Sequence, residues 1–221
     1  MAVRKIISVA TPNLIVAPEE YSKSREEQLN NELRLYFNRL NSNMNTIADT
    51  GGGVSISFPH ITAYSDVDQY AGGDDTPTIV LFNNSLNNVG FTFNTDGTAN
   101  ALFDGNYQVE YRLQAVNTNN TALDTVVWLQ VNGQDVADSA TKYTIPARKS
   151  AGVPSFSILA SFVSWETLEN DNFALYWATE QAYESGVQDG IYLEATAAQT
   201  SPYAHPEIPS SYGVIQYIGR E

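Results

Sequence analysis

The chain has 221 residues, 43% of them hydrophobic, with thirteen Tyr, nine Phe and three Trp, enough apolar mass for one sizeable domain plus an appendage or for two small domains. It contains no cysteine, which excludes disulfides, thiolate metal sites and cysteine nucleophiles. The net charge of −14 falls wholly in residues 51–221, which hold five basic and nineteen acidic side chains against six of each in residues 1–50; such a field repels nucleic acid and anionic membranes.

No run of eighteen apolar residues occurs, so no membrane span is expected. The first twenty residues are broken by Pro12, Asn13 and Pro18 and do not read as a secretory signal, so production in a cytoplasm is expected. Residues 1–23 read as an extended arm. Its short apolar run Leu14-Ile15-Val16 lies between Pro12 and Pro18, both of which favour extended backbone. Such an arm cannot bury its own apolar residues, so it either lies along another subunit or remains a tail.

Residues 24–50 read as a helix. Leu33, Phe37, Leu40, Met44 and Ile47 recur at alternating spacings of four and three, the seam of a coiled coil. Ser24 and Glu27 have capping-box spacing, and Glu26 and Glu27 lie near the positive end of the helix dipole. A lone helix of this length is marginal in water, so it needs copies of itself, a larger body, or its own domain to lie on. Asp49-Thr50 and the run Gly51-Gly52-Gly53 stop it and form a hinge.

After Gly53 the periodicity switches from helical to alternating. Expected strands are Val54–Phe58, Thr78–Phe82, Val89–Phe93, Tyr107–Leu113, Thr125–Val131, Phe156–Trp165, Phe173–Thr179, Ile191–Thr196 and Tyr212–Ile218. Asn94-Thr95-Asp96-Gly97 marks a turn, and Asn132-Gly133 is the strongest hairpin signal in the chain. Nine or ten short strands without a second helix predict a mainly β fold, an antiparallel jelly-roll sandwich over residues 54–221.

Several fragments carry a resemblance. Phe103-Asp104-Gly105-Asn106-Tyr107, Leu129-Gln130-Val131-Asn132-Gly133, Ala174-Leu175-Tyr176-Trp177 and Ser211-Tyr212-Gly213-Val214-Ile215 resemble strands of the jelly roll shared by tumour necrosis factor and the complement globular heads. The superfamily's Gly-Asp turn before the late strand is Asn170-Asp171 here. Pro18, Tyr21, Gln28, Leu29, Leu33, Tyr36, Phe37 and Leu40 together are similar to the docking segment of tailed-bacteriophage virion proteins. These resemblances imply a homotrimeric structural appendage (a tail fibre, head fibre or capsid decoration) located in the virion, partnered with other virion proteins and with a host-surface glycan or protein. Leu14, Ile15, Val16, Leu33, Phe37, Leu40 and Met44 are the expected anchoring and assembly residues. A soluble carbohydrate-binding, lectin-like module is the alternative reading.

Catalytic chemistry has little footing. His60 and His205 are isolated, each beside a proline, and neither a G-x-S-x-G elbow nor an H-E-x-x-H zinc motif occurs. Gly51-Gly52-Gly53 lacks the lysine of a phosphate loop and precedes a strand. Neither an enzyme activity nor a cofactor is expected. Asp66, Asp68, Asp74 and Asp75 are hard oxygen ligands in loops, weak Ca²⁺ candidates against the simpler reading of solvated acidic loops. Tyr183, Tyr203 and Trp165 are the candidate ligand contacts, since exposed aromatics stack on sugar faces, although core and subunit seams use the same residue types. The proline-rich loop 200–209 is either receptor-facing or a clasp on a neighbouring subunit.

Overall fold

The computed structural model describes residues 12, 23–48, 58–94 and 96–219. The chain divides into two units, Met1–Ser57 and Phe58–Glu221. The arm with Leu14, Ile15 and Val16, the glycine run 51–53, most of the expected strand 54–58 and the Ile47 side chain lie outside the described residues.

In the first unit, helix α1 spans Lys23–Ala48. It already includes Lys23, one residue before the expected cap, and Lys23 approaches Glu27 at 3.9 Å one turn on. The expected seam splits by exposure. Leu33 is half-buried with Leu29 and Tyr36, whereas Phe37 (58% exposed), Leu40 and Met44 stand in solvent together with Leu35.

The described residues of the second unit form fourteen strands: β1 His60–Ser65, β2 Gln69–Tyr70, β3 Thr78–Ile79, β4 Asn84–Val89, β5 Phe91–Phe93, β6 Ala99–Ala101, β7 Gly105–Asn117, β8 Leu123–Val131, β9 Gln134–Asp135, β10 Thr141–Ile145, β11 Ser155–Thr167, β12 Asn172–Thr179, β13 Ile191–Leu193 and β14 Ser211–Gly219. They form two antiparallel sheets, packed as a jelly-roll sandwich. In the first sheet β7 is the spine. β11 pairs with it along its whole length, from Ser155↔Asn117 to Thr167↔Gly105. On the other edge, β14 pairs with residues 106–113 and β13 with residues 115–117. β1 and β4 continue outward from β14, and β2 from β13. The second sheet runs β10-β8-β12-β6-β5, with β3 on β12 and β9 on β8.

Strand alternation explains the core. On β7 the odd-numbered residues Tyr107, Val109, Tyr111 and Leu113 are buried, while Glu110 and Arg112 face solvent. One cluster gathers Leu113, Val127, Leu159, Leu175 and Trp177; a second gathers Ile61, Phe91, Tyr107 and Phe173. Between the sheets a small apolar cavity of about 40 Å³ remains, lined by Phe82, Tyr111, Leu129 and Gly213 among others.

The motif Phe103–Tyr107 has a local physical basis. Gly105 has φ +145°, and a Cβ there would meet the Tyr217 ring at 2.4 Å and the Gly219 carbonyl at 2.9 Å. Tyr107, fully buried, donates its hydroxyl to the Phe103 carbonyl at 3.0 Å. Burial pushes its phenol pKa up to about 12. The hairpin signal is realised as the β8–β9 turn, with φ +52° at Asn132 and +73° at Gly133. Asn132 is further fixed by donating its side-chain amide to Asp171 at 2.7 Å.

Some expectations change in detail. The expected strand Val89–Phe93 holds only the last residue of β4, which begins earlier at Asn84, and the whole of β5, with the break at Gly90 (φ +77°), where a side chain would collide with Pro59. Thr78–Phe82 keeps a ladder only at Thr78–Ile79, although Val80 still donates its N–H to the Leu175 carbonyl and is buried. Ile191–Thr196 stops at Leu193. Strands β1, β2, β6, β9 and β10 arise where no strand was expected.

Candidate functional site

The even-numbered residues of β11 turn outward. They place Phe156, Ile158 and Phe162 (68% exposed) in one apolar stripe, opposite Val116, Gln114 and Glu110 of β7. β11 has no ladder partner on its other edge among the described residues. Further across the same sheet face, Tyr64, Leu86, Arg112, Ile208 and Tyr212 line an open groove of about 680 Å³. The Arg112 guanidinium sits 5.6 Å above the Tyr212 ring, a cation–π contact.

A second surface is aromatic. Gln69 of β2 points inward and is buried. Its Nε2 donates to the Leu81 carbonyl (3.1 Å) and to Oγ of Ser210 and Ser211 (3.0 and 3.1 Å), while its Oε1 accepts from Leu81 N at 2.8 Å. The next residue, Tyr70, must therefore face outward, and it is half exposed. On β13, Ile191 and Leu193 are buried and Tyr192 faces outward, directly opposite Tyr70 in the register. Tyr183 follows buried Ala182, donates its N–H to the Ile191 carbonyl at 3.1 Å, and so lies beside Tyr192.

The three rings lie 5.6 Å (Tyr70–Tyr192), 5.9 Å (Tyr70–Tyr183) and 5.1 Å (Tyr183–Tyr192) apart, with interplanar angles of 23°, 28° and 40°. The phenols of Tyr70 and Tyr192 donate to Asp68 and Glu194 at 3.4 and 2.8 Å. Burial first, then these carboxylates, raises both phenol pKa values. Beside the rings lies an open cleft of about 620 Å³, walled by Tyr70, Gly72, Asp74, Tyr183, Glu184, Ser185 and Gln188. Asp74 ties its two walls, accepting from Ala182 N and Gln188 Nε2 at 2.8 Å each.

The three candidate ligand contacts separate. Tyr183 joins the aromatic surface. Tyr203 stands 71% exposed in the loop between β13 and β14, its ring 5.8 Å from that of His205. Trp165 is turned inward by the alternation of β11. It packs edge-on against Phe173 at 4.9 Å, with its indole N–H buried and without a partner among the described residues, so it is a packing residue and not a surface ring. Sequence reading finds Tyr183 but passes over Tyr70, because β2 is only two residues long and holds no period.

The four aspartates do not converge. Asp66 accepts from Asn83 at 2.7 Å, Asp68 accepts from Ala195 N at 2.9 Å, Asp74 braces the cleft, and Asp75 occupies a turn at φ +52°. Among the described residues no group of three or more His, Asp or Glu is placed to hold a metal. The two histidines each bond backbone close by, His60 Nδ1 to the Phe58 carbonyl and His205 Nδ1 to the Pro206 carbonyl.

No known family model matches the chain, and no curated protein matches it. Among solved structures it is similar to the globular domain of zebrafish complement 1qA protein, at 12% identity over 74% of this chain and 99% of that one, with a TM-score of 0.41. A likeness this distant assigns no residue a role. The class of protein, a mainly β jelly-roll head with one helix among the described residues, rests on the two sheets themselves.

Proposed function

We propose that the protein is a non-enzymatic, homotrimeric structural appendage of a virion, held to the particle by its N-terminal arm and helix. On this reading the β head meets a host-surface ligand or stabilises the particle. The observation that carries the assembly half is the stripe of Phe156, Ile158 and Phe162 on an open-edged strand. Fully burying each such side chain stabilises by about 1.5–3 kcal/mol, so three of them in solvent call for a cover.

A second copy of the head is the occupant that fits. The stripe of one copy and the groove at Tyr64, Leu86 and Tyr212 of the next are different patches on one sheet face. A contact of that head-to-tail kind closes into a ring when its rotation divides a full turn and otherwise gives an open filament; a ring of three is what the jelly-roll resemblance implies. The virion location is supported by the resemblance of residues 18–40 to phage docking segments and by the exposed Phe37, Leu40 and Met44 of α1. The lectin-like alternative draws support from the tyrosine surface.

Light scattering of the full chain tests the assembly. Three chain masses are expected, falling to one when Phe156, Ile158 and Phe162 are all changed to Ser with unchanged circular dichroism. A trimer that survives this triple change removes the β11 interface.

A further inference from the structure

We infer that Asn132 is a self-modifying site: the Gly133 backbone nitrogen converts its side-chain amide to an acid, and a hydrogen bond to Asp171 holds that reaction in check while the head is folded. The inference is independent of the trimer and of any ligand.

The position is built to react. Asn132 and Gly133 form the exposed tip of the β8–β9 hairpin. A Cβ at Gly133 would meet nothing within 4 Å, so no side chain shields the backbone nitrogen, and among the described residues its N–H donates to no hydrogen bond. The chemistry needs no reagent but water. The Gly133 nitrogen gives up its proton and attacks Cγ of Asn132. The new N–C bond closes a cyclic imide as the Cγ–Nδ2 bond breaks, and Nδ2 leaves with that proton as ammonia. Water then opens the imide at either carbonyl, giving aspartate or its β-linked isomer, isoaspartate.

The neighbouring turn restrains this reaction. Asn132 Nδ2 donates to Asp171 Oδ1 at 2.7 Å, its Oδ1 accepts from Asn172 N at 2.9 Å, and its own N–H donates to the Asn172 carbonyl at 2.8 Å. Attack makes Cγ tetrahedral and turns it toward the Gly133 nitrogen, which costs the two side-chain bonds. The one to the Asp171 carboxylate is charge-assisted and the stronger. Asp171 is fixed in turn: Oδ2 accepts from Leu168 N at 2.8 Å, and its carbonyl accepts from Ala101 N at 3.0 Å.

Conversion turns this attraction into repulsion. An aspartate at 132 sets two carboxylates where an amide met one, and no lysine or arginine pairs with Asp171 among the described residues. Isoaspartate adds a backbone carbon to a two-residue turn with φ of +52° and +73°, which disturbs the Val131↔Gln134 register as well. Either product parts the β8–β9 turn from the β11–β12 turn, so the head carries a chemical clock at one end of its second sheet.

The test holds the full chain at mildly alkaline pH and follows Asn132 by peptide mass spectrometry, beside a synthetic peptide of residues 129–135 and the full chain in urea. Conversion in the folded chain should be slower than in either reference by about tenfold or more. Asp171→Ala, with its fold checked by circular dichroism, should recover most of that difference. Asp171→Asn, which keeps the size of the side chain and removes its charge, should recover part of it and serves if the alanine variant does not fold. Asn132→Asp should speed amide hydrogen exchange at residues 168–172, a readout separate from the rate. Folded-chain conversion as fast as in the peptide, a rate indifferent to both Asp171 changes, or unaltered exchange in Asn132→Asp would each overturn the inference.

Discussion

Gly105 shows how one residue can hold an element in place. Its φ of +145° and the 2.4 Å approach of the Tyr217 ring leave no room for a side chain where β7 and β14 meet. Gly105→Ala is expected to destabilise the head by about 2 kcal/mol or more through combined strain and overpacking, read as a lowered urea midpoint at unchanged slope. Two residues on, the Tyr107 phenol is raised to about 12 by burial, against 10.0 for a free tyrosine. Above pH 10 the unfolded chain ionises while the folded one holds its proton. The stability tied to this group is therefore complete below pH 10 and is lost as pH rises through 12. In an ultraviolet titration Tyr107 should ionise only above pH 10 or with unfolding, and Tyr107→Phe should lessen the alkaline loss of stability. An alkaline profile unchanged by that substitution would contradict the assignment.

At the scale of elements, β8 and β10 are joined at their exposed ends by Asp124, which bonds Lys142 and Thr144. The Lys142 and Thr144 hydrogen bonds lower the Asp124 pKa, and the Asp124 hydrogen bond and charge raise that of Lys142. The small contribution of this cluster is thus present between the ordinary carboxylate and lysine ranges. It is lost as pH falls below 3.8 toward the depressed Asp124 value, and again as pH rises past 10.5. Asp124→Asn should flatten the acid limb of a stability-against-pH curve slightly; Lys142 is exposed and Asp124 only partly covered, so a large change would contradict this account. Helix α1 carries a different prediction. Leu33→Asp with Phe37→Asp is expected to stop incorporation into particles while the near-ultraviolet dichroism of the head is retained. Normal incorporation would sink the anchoring role.

For the whole molecule, the decisive quantity is the mass in solution of the full chain beside that of residues 58–221. The latter form their own unit with both hydrophobic clusters. A trimer in both places assembly in the jelly roll and leaves α1 as an anchor. A trimer only with the helix present makes α1 the device that sets the register. The β11 stripe favours the first result, because it lies wholly within the head.

Much of this was legible in the sequence because it is local. Helical period, the alternating runs on β7, β8, β11, β12 and β14, and the Asn132-Gly133 turn are all written in neighbouring residues, and together they determine a mainly β head that follows one helix in the described residues. The short strands β2, β6 and β9 were not legible, since two or three residues hold no period and exist only through long-range pairing. The same limit hid the aromatic surface: Tyr70, Tyr183 and Tyr192 come from three segments that backbone ladders alone bring together. It also misplaced Trp165, because an alternating strand shows which residues share a face but not which face is the inner one. That choice belongs to tertiary structure, where burying Tyr107, Leu113 and Leu159 between the sheets turns Phe156, Ile158 and Phe162 to the outside.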